Sequence, residues 1–131
     1  MDDLTLGGYM AHHDRAAAFT GSDGRPYSVG LYVEEEADER GRFAASLIFV
    51  CWAESGERPV GHVESPVLFW AQTPEAAQAR LEALSLYDVK AELDRAIADL
   101  EAQGDSAGLA AAYRKLAFLA LSGLLQAFRA S

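Results

Sequence analysis

The spacing of apolar positions changes along this chain, and the changes mark its elements. Tyr27, Val29, Leu31 and Val33 alternate with Ser28, Gly30, Tyr32 and Glu34. A period of two belongs to a β-strand, whose successive side chains point to opposite faces, so this stretch predicts a strand with one buried face. Phe43 to Trp52 keeps the period but is apolar on both sides. Phe43, Ala45, Leu47, Phe49 and Cys51 form one row; Ala44, Ser46, Ile48, Val50 and Trp52 form the other. A solvated edge would not tolerate two such rows, so this strand is expected at the centre of a sheet with both faces covered. Ala16 to Thr20 is a shorter candidate strand, ended by the turn residues Gly21 to Gly24. Pro59 to Gln72 supplies another. Pro66 within it has no N–H for a ladder, so that strand is expected to be bulged, broken or at an edge.

At Thr73 the period lengthens. Thr as N-cap, Pro74 at the first helical position and Glu75 in the first turn form a helix start. Ala77, Leu81 and Leu84 mark the buried stripe of a helix near 74–84. Ser85 followed by Asp88 matches a capping box, and Leu86, Val89, Leu93, Ile97 and Leu100 hold one face of a second helix near 86–103. Gly104 is a stop signal, and Asp105 or Ser106 can cap a third helix near 106–129. Residues 1–15 show neither period, and Gly7-Gly8 interrupts them. The reading is one α+β domain over 1–131. It has a mobile N-terminal arm (1–15), an antiparallel three- or four-stranded meander with two helices (16–104), and a C-terminal apolar helix (105–131).

That last segment stands apart. Leu109, Tyr113, Leu116, Ala117, Ala120, Leu121, Leu124 and Phe128 form a continuous helical face, which Phe118, Leu119 and Leu125 extend to both sides. Lys115, Ser122, Gln126 and Arg129 occupy an opposite sector of only about 60–90°, whereas an ordinary surface helix has an apolar stripe of roughly 100°. Burying Leu116, Phe118, Leu119, Leu121, Leu124, Leu125 and Phe128 would gain roughly 10–20 kcal/mol. One side of such a helix can be covered by the chain's own sheet; the other needs a second surface, most simply the same helix in another copy. Complete enclosure on the other sheet face and docking at a membrane interface are the alternatives.

Charge sharpens the contrast. The 131 residues carry a net charge of −9. From Ser106 onward there are three basic residues and no acidic one, giving +3; residues 1–105 hold eight basic and twenty acidic residues, giving −12. An acidic body disfavours sequence-independent binding to nucleic acid and to anionic membranes. Nucleic-acid mimicry by Glu34, Glu35, Glu36, Asp38 and Glu39 is a rarer possibility for such a cluster. The start MDDLTLGGYM lacks a basic region and an apolar core, and no span of about 20 apolar residues follows. A lone cysteine, Cys51, excludes an internal disulfide. A cytoplasmic protein without a transmembrane segment is the expectation.

Candidate chemistry is sparse. His12-His13-Asp14 lacks zinc-type spacing, and adjacent side chains diverge on any regular backbone. His62 and Glu64 share a strand face and could form a site with Trp70, or with His12 or His13 folded back onto them. Cys51 could be a nucleophile with His62 as base, but its neighbours Val50 and Trp52 suit an inert core thiol. No nucleophile elbow, phosphate-cradling glycine spacing or P-loop lysine is present. The strand-to-helix step through Ala71 to Leu84 resembles that of HicB-type antitoxins over roughly 27–84. The chain departs from that family in its long second helix, in lacking the Pro-Gly-Cys-like strand and in having no basic DNA-binding module, so no functional residue carries over.

The sequence therefore points to a non-enzymatic interaction or accessory module, without metal or cofactor. It would self-associate as a homodimer, or dock a protein partner, through Leu116, Phe118, Leu119, Leu121, Leu124, Leu125 and Phe128. The alternative is a small-molecule- or metal-binding or catalytic domain with a site around His62, Glu64 and Trp70.

Overall fold

The computed structural model describes residues 5–103. The C-terminal helix expected over 105–131, with all seven of its proposed contact residues, lies outside them. The described chain is an α+β unit whose elements run α1 (Leu6–His13), β1 (Ala18–Thr20), β2 (Pro26–Val33), β3 (Phe43–Trp52), β4 (Pro59–Glu64), β5 (Phe69–Ala71), α2 (Pro74–Glu82) and α3 (Leu86–Gln103).

The strands form one antiparallel sheet in the order β1-β2-β3-β4, with β5 also pairing β3. The two-faced strand is central, as its composition requires. It meets β2 from Tyr27↔Cys51 to Val33↔Ala45, while β4 and β5 share its other side. Pro66 falls between β4 and β5, where the edge strand breaks. The ladder is bridged there by Ser65, whose hydroxyl accepts the Leu47 N–H at 2.9 Å and donates to the Pro66 carbonyl at 2.7 Å. On either side of the proline, the Ser65 N–H donates to the Leu47 carbonyl and the Leu68 N–H to the Ala45 carbonyl, so the pairing to β3 resumes past the break.

Strand alternation divides the core in two. Tyr27, Val29, Leu47, Phe49, Cys51 and Val63 point to the first face, where they pack with Leu6 of α1, Ala77 and Leu81 of α2, and Val89, Leu93 and Ile97 of α3. Thr73 caps α2 by accepting the Ala76 N–H at 3.0 Å, and Ser85 accepts the Asp88 N–H at 3.0 Å where α3 begins. The second face carries Ser28, Gly30, Ser46, Ile48, Val50 and Trp52, all buried, with Ile48 and Val50 at 0% exposure. Trp52 Nε1–H donates to Ser28 Oγ at 3.1 Å, so the indole is held against β2.

Within the stretch expected as an arm, where the sequence shows no period, the chain forms a helix from Leu6 to His13, capped by Thr5, whose hydroxyl accepts the Gly8 N–H at 3.0 Å. Leu6 is fully buried, and its N–H donates to the Leu84 carbonyl at 2.7 Å. Gly7 of the glycine pair is a packing device. A Cβ on Gly7 would stand 2.7 Å from Glu82 Cβ, so only glycine lets α1 lie this close to the end of α2. Asp14, at φ 52°, then ends the helix in the left-handed region that aspartate tolerates.

Candidate functional site

The residues that sequence reasoning grouped into a possible site share a sheet face but are not gathered. His62 lies opposite Val50 and Glu64 opposite Ile48, so both half-buried side chains belong to the second face. Trp70 lies opposite Ala44 on that face. Four residues of β3 separate Ile48 from Ala44, which is about 13 Å along a strand. Trp70 is 44% exposed and has the Arg42 guanidinium 5.5 Å from its ring centre, a cation–π contact at the far end of the sheet from His62.

His12 and His13 are exposed in the last turn of α1. Their rings are 4.7 Å apart, and the His13 ring is 4.2 Å from that of Tyr9. Among the described residues no group of three or more His, Cys, Asp or Glu side chains is placed to hold a metal ion. Cys51 is 3% exposed on the first face, within the helix-covered core. Its partner on β4 is Gly61, and His62, the next residue, projects to the opposite face. Alternation therefore sets thiol and imidazole on opposite faces of the sheet, and a Cys51–His62 couple is not formed.

The acidic run also has a structural part. Asp38 Oδ1 accepts the N–H groups of Arg40 and Arg42 at 2.9 Å each, and its Oδ2 receives the Arg42 Nε–H at 3.1 Å. The backbone bond from Arg42, with the further bonds from Arg40 and the Arg42 side chain, outweighs the small cost of burial and holds this carboxyl below the usual aspartate range. Asp38 is the hub of the β2–β3 turn. Glu34, Glu35, Glu36 and Glu39 are exposed around it.

A cleft of about 380 Å³ opens where the ends of β2, β3 and β4 meet α3, lined by Asp23, Arg25, Tyr27, Cys51, Leu100 and Glu101 among others. The turn Gly21 to Gly24 builds one wall. A Cβ on Gly21 would fall 2.6 Å from Ile97 Cδ1 and 2.8 Å from the Tyr27 ring, so glycine lets the turn press against α3. Ser22 N–H donates to Asp94 Oδ1 at 2.9 Å, tying turn to helix. Across the cleft, the Tyr27 hydroxyl donates to Asp23 Oδ2 at 2.7 Å. Burial, then the Asp23 bond, pushes the Tyr27 phenol well above its ordinary range. Burial opposes the Asp23 charge, but the Tyr27 bond, the Arg25 backbone N–H and the Arg25 cation outweigh it and hold the carboxyl low. Asp23 and Tyr27 thus spend their hydrogen-bonding capacity on joining turn to sheet. The sequence marked Gly21 to Gly24 as a turn; the four-residue spacing from Asp23 to Tyr27 was the only hint of this link.

No protein-family model, curated protein or solved structure matches the chain. Among the described residues no helix is long and apolar enough to cross a membrane.

Proposed function

We propose that this chain is a non-enzymatic interaction or accessory module that self-associates as a homodimer through its C-terminal segment, with Leu116, Phe118, Leu119, Leu121, Leu124, Leu125 and Phe128 as the contact. The observation that carries this reading is the filled first face of the sheet. Helices α1, α2 and α3 already supply its cover, with Leu6, Leu81, Val89 and Leu93 at 0% exposure. A segment apolar around most of its circumference is left with at most one sheet face in its own chain. One flat face covers one side of a helix; the remaining apolar side is satisfied by a second surface, and another copy supplies a matching one by symmetry. A cytoplasmic setting suits such a module.

Replacing both Leu121 and Leu124 by Glu tests it. Charges placed where burial is expected cost several kcal/mol when unpaired. Wild type should sediment as a dimer or larger at micromolar concentration, and the double variant as a monomer with unchanged circular dichroism. A wild type that is monomeric and binds no apolar dye overturns the proposal. If the variant unfolds, the wild-type mass decides: a dimer supports the reading, a monomer rejects it.

A further inference from the structure

Ile48 and Val50 are completely excluded from water on the second face of the sheet, yet the cluster containing Val50 has only Ala16 and Trp52 as its other described members. The described contributions of α1, α2 and α3 to the core all belong to the first-face cluster. Ser28, Tyr32, His62 and Glu64 flank the two residues within the same layer, and side chains standing side by side on a sheet cannot roof it. Complete burial at the middle of a sheet requires a second layer.

We propose that this layer is the chain's own C-terminal segment, residues 105–131, seated across β2, β3 and β4. Where α3 ends supports it. Leu100 and Glu101 in its last turns line the same cleft as Gly61 and His62 of β4, an outer strand of the sheet. The continuing chain has only to turn round that edge to reach Val50, which is the cross-strand neighbour of His62. Length agrees: a helix near 106–129 would extend about 36 Å, and the ten residues of β3 span about 33 Å. Charge agrees as well, since a segment of +3 meets a body of −12. The other terminus is a poor candidate. Residues 1–4 bring only Met1 and Leu4 as large apolar side chains, and they lead into Thr5, which is bridged to Ser85 between the two first-face helices α2 and α3. The proposal rests on reading the segment as an apolar helix, but not on self-association.

The chain carries its own probe. It has two isoleucines, Ile48 on the second face and Ile97 in the first-face core. The full wild-type chain, with ¹³C-labelled Ile and Leu methyls, is diluted into a large excess of unlabelled chain, so that only contacts within one molecule are seen. The expected result is a set of nuclear Overhauser cross-peaks from the Ile48 δ1 methyl to leucines of residues 105–131, and none from Ile97 to those leucines. Cross-peaks from Ile48 confined to leucines before residue 104 overturn the proposal. So do cross-peaks that vanish on dilution and return when Ile-labelled and Leu-labelled chains are mixed, which assigns the seat to a second copy's segment. The sedimentation mass stands apart from both. A monomer with intramolecular Ile48 contacts ends the dimer reading and keeps the seat, and a dimer with only intermolecular contacts does the reverse.

Discussion

Leu6→Ala probes the element for which sequence pattern and structure disagree. The side chain is fully buried among residues of α2, α3 and the sheet, and its backbone is bonded to Leu84. Truncating a fully buried leucine removes the transfer free energy of the lost carbons and leaves a cavity, together about 2–5 kcal/mol. The cavity should collapse poorly. Gly7 holds α1 against Glu82 on one side, and the Thr5–Ser85 bridge fixes its start on the other. A domain of this size has roughly 5–15 kcal/mol in all, so the substitution should remove a substantial fraction. With a urea m-value of about 1–3 kcal/mol per molar, the midpoint should fall by on the order of 1–3 M at unchanged m. Equilibrium urea denaturation followed by circular dichroism and by tryptophan fluorescence would measure it. A loss below about 1 kcal/mol would show that α1 is loosely held and that deleting residues 1–12 is harmless, as expected of a mobile arm.

Other tests address the sheet and the cleft. Phe49→Ala should cost about 3–5 kcal/mol, because Phe49 is fully buried on the central strand between Val29 and Val63; a loss under 1 kcal/mol in the same assay would remove β3 from the core. Cys51 in the native chain should react with a thiol reagent no faster than the protein unfolds, and rapid stoichiometric labelling would contradict its burial. The Tyr27 proton is held more tightly in the folded chain than in the unfolded one, which loses it near pH 10. Stability from this source is complete below about pH 10 and is lost as pH rises toward the folded value, so Tyr27→Phe should flatten the alkaline limb of a pH–stability profile. An identical limb in the variant would refute the Asp23–Tyr27 account.

Local signals were sufficient for the fold because they state their own geometry. The alternation through Tyr27 to Val33, the doubly apolar β3 and the caps at Thr73 and Ser85 each specify an element without reference to the rest of the chain, and the structure has those elements within a few residues. The break at Pro66 follows in the same way from a missing N–H. Helix α1 was not legible, since eight residues with two glycines carry no amphipathic pattern; the helix is stabilised by Glu82, Leu84 and Ser85, more than seventy residues away. Separation of the candidate site was likewise beyond the sequence. Spacing placed His62 and Glu64 on one face, but only the pairing register brought Trp70 to that face, about 13 Å along the strand from Glu64, and put Cys51 on the face opposite His62. Sequence determines which way each side chain alternates within a strand. Which strands lie side by side, and at what offset, is decided by the packing of the whole sheet.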